Sequence, residues 1–209
     1  MKKLLLLLFL LFTASSIAQF SWNDEGELIF KKVYELDRPK AALKEAASKW
    51  LALTFKNSKN VIRHDTENSI IGKGTFSIII HSQGYDFPGS IDFVIDLAFK
   101  EGRYKLELYD YRYYTDAYDQ IKSPIIDSES YSFERHREFT RQQIDIFMPE
   151  GSPGRRIALK RLENPKKSKA DYEMALEKYR RMHKTTVSKS KALISNLVKY
   201  LANAEEDDW

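Results

Sequence analysis

The 209-residue sequence contains no cysteine. That excludes disulfides and the common cysteine-based zinc sites, and it leaves no Cys on which a lipoprotein could carry its lipid anchor. Proline is scarce, with six in all, and four of them (Pro124, Pro149, Pro153 and Pro165) fall between Thr115 and Pro165. The four histidines, His64, His81, His136 and His183, stand in no metal-ligand spacing such as H-E-x-x-H, so no metal is expected. No G-x-S-x-G is present, which removes the elbow of that type of serine hydrolase. No cofactor motif is present either, and no cofactor is expected. Beyond residue 18 no stretch is apolar for 18 residues, so no membrane span is expected after processing.

What is present begins with an export leader. Lys2 and Lys3 precede the unbroken apolar run Leu4–Phe12, and Ser16 and Ala18 are placed for cleavage before Gln19. This reads as a secretory signal peptide over residues 1–18, too short for a stable span. Cleavage after Ala18 would leave a soluble chain, periplasmic or secreted, with no disulfides to hold its fold. Charge is unevenly spread. Residues 151–200 hold 14 Lys/Arg against 4 Asp/Glu, while Glu205–Asp208 are all acidic. A basic C-terminal third can favour an anionic glycan or an acidic envelope protein, or can be simply a solvated helix face. Without the leader the net charge is only about +2, which with export argues against a nucleic-acid partner.

Periodicity then gives the elements. Gly26–Leu36 is rich in β-formers and reads as a strand. From Pro39 to Phe55 the apolar residues Leu43, Ala46, Ala47, Trp50 and Leu53 recur at three and four, which predicts a helix with Asp37 available to cap it. Two hairpins follow, the first turning at Asn68-Ser69 and the second at Glu101-Gly102, where Gly102 supplies a positive φ. The second fixes a register. Phe99 should face Tyr104, Leu97 Leu106 and Ile95 Leu108, all towards the core, because a one-residue slip would turn every one to water.

The segment "IIGKGTF" resembles part of a phosphate-binding loop, but position 67 is Glu and Lys73 is followed by Gly74. A P-loop needs Gly at the first place and Ser or Thr at the second. Gly72, Gly74, Phe76, Ile78 and Ile80 instead alternate as a strand, with both glycines on the apolar face. Bare backbone there would let the helix, with Trp50, approach the sheet closely. Farther on, Ser168 with Asp171 resembles a capping box, and apolar stripes run from Tyr172 to His183 and from Val187 to Leu201. One long helix or two would fit. Residues 115–167 read as an irregular connector with a short helix or edge strand, since the apolar spacing of 130–149 is poor. The expected division is thus a signal peptide (1–18), an α+β domain (19–114), the connector (115–167), a helical segment (168–204) and an acidic tail (205–209).

Trp50, "FKNSKNVI" (Phe55–Ile62), "IIGKG" (Ile70–Gly74) and "EGRYKLEL" (Glu101–Leu108) together resemble a family of exported bacterial domains of unknown function with a TBP-like fold. The resemblance spans roughly residues 28–110. It implies an antiparallel sheet built in the order strand, helix, four strands, with a helix on one face and C-terminal helix following. It implies no reaction, ligand or catalytic residue, and likeness to a DNA-binding fold is not DNA binding.

One surface stands out for function. With strict alternation, Tyr109, Tyr111 and Tyr113 would share the outer sheet face with Lys105 and Lys73, a row of rings and cations suited to stacking. Alternatively, residues 115–165 fold back and bury the rings in a second small core. Trp50, Gly72, Gly74 and Gly102 are structural in either case. The expected role is a non-enzymatic binding or protein-interaction module of the cell envelope. The alternative is a hydrolase of an envelope polymer using Asp96 and Glu107, opposite one another in this register, or the charge cluster around His136.

Overall fold

The computed structural model describes residues 20–55, 61–82, 85–115 and 122–204. The expected leader, the helix-ending stretch 56–60 and the acidic tail lie outside the described residues. Seven strands form one antiparallel sheet: β1 (Phe20–Trp22), β2 (Leu28–Glu35), β3 (Ile62–Thr66), β4 (Ser69–Ser82), β5 (Tyr85–Lys100), β6 (Arg103–Thr115) and β7 (Ser123–Pro124). Their order is β1-β2-β6-β5-β4-β3, with β7 paired to the far end of β6. Among the described residues four helices accompany them: α1 (Lys40–Thr54), α2 (Phe133–Phe147), α3 (Pro153–Glu163) and α4 (Pro165–Asn203).

The central hairpin has the register that its alternation requires. Ile95 pairs with Leu108, Leu97 with Leu106 and Phe99 with Tyr104, and all six are buried. Gly102 turns the chain at φ 70°. The first hairpin turns at Glu67-Asn68, one residue earlier than the sequence suggests, because Thr66 pairs with Ser69 and its hydroxyl accepts from the Asn68 and Ser69 N–H groups. The glycines of β4 do face the core, but it is not Trp50 that fills their space. A Cβ on Gly74 would lie 2.3 Å from Cζ of Phe93, its cross-strand partner, whose ring lies flat over the bare backbone. Phe76 stacks on the same ring at 4.4 Å.

α1 crosses one face of the sheet and buries Leu43, Ala46, Ala47, Trp50 and Leu51. Asp37 does not cap it. The first helical N–H, that of Lys40, donates to Glu101 Oε2 from the β5–β6 turn at 3.1 Å, so a distant hairpin holds the start of the helix. Trp50 Nε1 donates to Asn196 Oδ1 at 2.6 Å and ties α1 to α4.

α4 resolves the choice between one C-terminal helix and two: it runs unbroken for 39 residues, about 58 Å. Its cap is Asn164, whose side chain accepts from Lys167 N at 3.0 Å, so Ser168 lies inside the helix rather than at its cap. Residues 122–167, the described part of the expected irregular connector, are mostly regular. They carry β7, α2 and α3, and each of these two helices starts from a serine cap, Ser132 accepting from Arg135 N and Ser152 from Arg155 N. Their weak apolar signal has a physical cause. α2 fully buries only His136 and Ile144, and α3 only Leu162, so neither needs a broad apolar stripe.

The alternation of β6 breaks at Asp110. Val94 pairs with Tyr109 but Asp92 pairs with Arg112, so two residues of β6 oppose Phe93 in a bulge. Asp110 takes φ 52°, a left-handed conformation that Asp tolerates better than most residues. The strand therefore changes face midway. Leu106 and Leu108 point to the core before the bulge, and Tyr111 and Tyr113 point there after it, 3% and 8% exposed. This yields a test. Asp110→Gly should leave the melting temperature almost unchanged, whereas Asp110→Val, a β-branched residue strained at positive φ by roughly 1–2 kcal/mol, should lower it by several degrees in thermal unfolding.

Candidate functional site

The bulge dismantles the row of tyrosines. Tyr109 is half-buried on the outer face, while Tyr111 and Tyr113 lie on the opposite one. Tyr111 stacks near Phe93 at 5.8 Å and its hydroxyl bonds Ser190 of α4 at 2.9 Å. Burial pushes the Tyr111 phenol well above its ordinary range. Tyr113 has Lys178 of α4 over its ring at 4.8 Å. Of the expected cations, Lys73 is exposed and Lys105 is bound to Glu107 at 2.6 Å. The five residues do not converge on one surface. Tyr111 and Tyr113 are buried because the bulge turns them inward to α4, rather than through refolding of residues 115–165 alone.

Asp96 and Glu107 do pair across the outer face. Burial pushes the Asp96 carboxyl up, and the Glu107 charge adds to this. For Glu107 burial acts in the same direction, but it is outweighed by Lys105 and Lys31, which bond its two oxygens at 2.6 and 2.7 Å and hold its carboxyl down. Two carboxyls with diverging pKa values resemble an acid–base pair, yet neither lines the clefts among the helices. Asp92, nearby, accepts from Thr75 at 2.8 Å, from Tyr114 and from Lys122, an arrangement with little capacity left for a ligand. No group of three His, Asp or Glu side chains among the described residues could hold a metal ion.

A different site lies where α2, α3 and the N-terminal half of α4 meet. A cleft of about 320 Å³ opens there, with apolar walls from Ile144, Phe147, Met148, Ala158 and Leu162. His136 of α2 and Ser168 of α4 also line it, and they are 7% and 1% exposed. His136 Nδ1 bonds the Tyr131 hydroxyl at 3.0 Å, within an aromatic cluster that includes Tyr172 and Tyr179. His136 Nε2 and Ser168 Oγ are both buried and have no hydrogen-bond partner among the described residues. Leaving such groups unpaired costs about 1–3 kcal/mol each, so a fold that keeps two beside one cleft calls for an explanation. Of the other polar groups of the cleft, Thr140 Oγ1 donates to the His136 carbonyl at 2.8 Å, Arg161 grips Asp171 through two bonds of 2.7 and 2.5 Å, and Gln143 stands half-buried on the lining.

Burial keeps the His136 imidazole below its ordinary pKa, with the Asp171 charge opposing this weakly. It is therefore neutral at pH 7. Ser168 Oγ makes no hydrogen bond to it, whereas an activated serine needs its base within that reach. The arrangement can hold a ligand; it is not a nucleophile–base pair. The sequence pointed to His136 only through its charged neighbours, and Ser168 only as a cap. The partner-free burial of both depends on how three helices meet, which no local pattern encodes.

Two outcomes follow. Ser168→Ala removes a buried hydroxyl without a partner from a helix interior and should raise the melting temperature by about 2–4 °C; a fall would show that the hydroxyl is bonded within the protein. The imidazoles of His136 and His183 are both depressed by burial. The unfolded chain then binds protons more readily than the native one below about pH 6.5, so stability is full above that pH and declines as pH falls. Melting curves between pH 7.5 and 5 should show that decline, with a shallower slope in His136→Gln.

No curated protein matches the chain. Two solved structures do. A DUF4468 family protein from Bacteroides ovatus is 16% identical, with a TM-score of 0.41, and the match covers 64% of this chain and 94% of that one. A TBP-like protein from Parabacteroides distasonis is 13% identical, with a TM-score of 0.46, covering 88% of this chain and 97% of that one. Residues 24–114, which carry β2, α1 and β3 to β6, match the family described as domain of unknown function (DUF4468) with TBP-like fold, and the cleft-forming helices follow beyond that segment.

Proposed function

We propose that the protein is an exported, non-enzymatic binding module of the cell envelope, and that its binding element is the cleft among α2, α3 and α4. One observation carries this reading: two polar atoms, His136 Nε2 and Ser168 Oγ, are buried without partners beside an apolar-walled cleft of ligand size. The leader pattern of residues 1–18 supports export. The outer sheet face supports an envelope-protein or glycan partner less well, because only Tyr109 of the three rings remains there. A hydrolase is the weaker alternative. The Asp96–Glu107 pair lies on the open sheet face with both Glu107 oxygens held by lysines, and His136 lacks a bonded nucleophile.

The test is a ligand-observed NMR screen of uncharged and charged fragments against the purified protein and its Ala158→Trp variant. Ala158 is half-buried on the cleft wall, so the indole should fill the cleft while the sheet core is untouched. Fragments are expected to bind the unmodified protein, to be recovered unchanged, and to lose binding in the variant at an unaltered melting temperature. Binding that survives Ala158→Trp would place the site elsewhere, and turnover of a bound fragment would favour the enzyme.

A further inference from the structure

We infer that the cleft takes a small uncharged amphiphile: a largely apolar body of about ten non-hydrogen atoms carrying one hydroxyl or carbonyl oxygen. The inference rests on the binding reading above and names the chemistry of its ligand.

Charge comes first. Among the described residues the only cation on the lining is Arg161, whose side chain is 51% exposed, and it is neutralised by the two bonds to Asp171, the only anion. The His136 imidazole is uncharged. A carboxylate entering the cleft would have to displace Asp171 from Arg161 or stand unpaired beside it. An ammonium would have to compete with Arg161 in the same way. Burying an unpaired charge is far more costly than burying a polar neutral group, so a lining already balanced selects against both.

Polarity comes next. Ser168 Oγ can both donate and accept, and His136 Nε2 does one or the other according to the tautomer set by Tyr131 at Nδ1. Two lining residues that each bury one unpartnered polar atom suit a single oxygen better than an extended polar array. Apart from the half-buried Gln143 amide and the engaged Thr140 hydroxyl, the remaining wall, from Ile144, Phe147, Met148, Ala158 and Leu162, offers apolar contact. Size sets the last bound. At roughly 30 Å³ for each liquid-packed water-sized unit, about 320 Å³ accommodates about ten heavy atoms. Phe147 of the lining is itself exposed, so a longer apolar tail can extend outward past it without changing the head-group requirement.

The test uses four matched probes: para-propylphenol, propylbenzene, para-propylbenzoate and para-propylbenzylammonium. Affinities are measured by calorimetry or NMR titration for the full protein, Ser168→Ala and Ala158→Trp. The phenol is expected to bind about tenfold more tightly than propylbenzene, as the net contribution of one hydrogen bond allows, and more tightly than either ion. Ser168→Ala should erase most of the phenol's advantage while leaving propylbenzene unchanged, a result that loss of folding cannot imitate. Tightest binding by the benzoate or the ammonium, lost in Ala158→Trp, would overturn the neutral-ligand inference and leave the binding module standing. Equal binding of phenol and propylbenzene would overturn it too. Failure of all four probes would overturn it together with the reading on which it rests.

Discussion

The left-handed residue at Asp110 is the constraint on which the rest of the molecule turns. A strand that keeps strict alternation serves one face with every second side chain. By inserting one residue opposite Phe93, β6 serves the core with Tyr104, Leu106 and Leu108 and then again with Tyr111 and Tyr113. Tyr111 reaches Ser190, and that bond fixes the rotation of α4 about its own axis. Ser168 lies 22 residues earlier on the same helix, about six turns, so it falls close to the same face. The orientation of the cleft is thus tied to a backbone irregularity in the sheet.

Much of the fold was legible because its patterns were redundant. In the β5–β6 hairpin, apolar alternation, a Glu-Gly turn and facing core residues all demand one register, and that register is present. α1 and the stripes of α4 were legible for the same reason. The bulge was not. "LYDYRYY" alternates as smoothly as a regular strand, and only the position of its backbone partner, Phe93, reveals the extra residue. α2 and α3 were also obscure, because helices that bury one or two residues each are polar overall and carry few apolar residues. Serine caps at Ser132 and Ser152 were the signals on offer, the second strengthened by Pro153 in the first helical turn.

The buried stripe of α4 contains three small polar residues, and their fates differ. Thr186 donates to the Met182 carbonyl at 2.8 Å, a local solution within the helix. Ser190 meets Tyr111. Ser168 alone of the three is left without a partner among the described residues, in a setting where its neighbours show how readily such groups are satisfied. Read in sequence, the three are equivalent interruptions of an apolar stripe. Their chemistry is decided by what the sheet and α2 bring to each, which is why the site became visible only with the assembled fold. The same holds for His136, whose charged neighbours point to solvent while the imidazole itself turns inward to Tyr131.

The continuity of α4 has a thermodynamic consequence. Its C-terminal half closes the sheet core with Ile194, Leu197 and Leu201, while its N-terminal half supplies Ser168 and Asp171 to the cleft. No Gly or Pro lies between them to serve as a hinge. Helix formation is cooperative along such a run, so fraying at one end and order at the other are coupled. The segment matched by the family ends at residue 114, but the apolar face of its sheet is covered by residues some 80 positions later. Residues outside the matched segment therefore help to complete its core, and a molecule held in the cleft would be registered by the sheet as added resistance to unfolding.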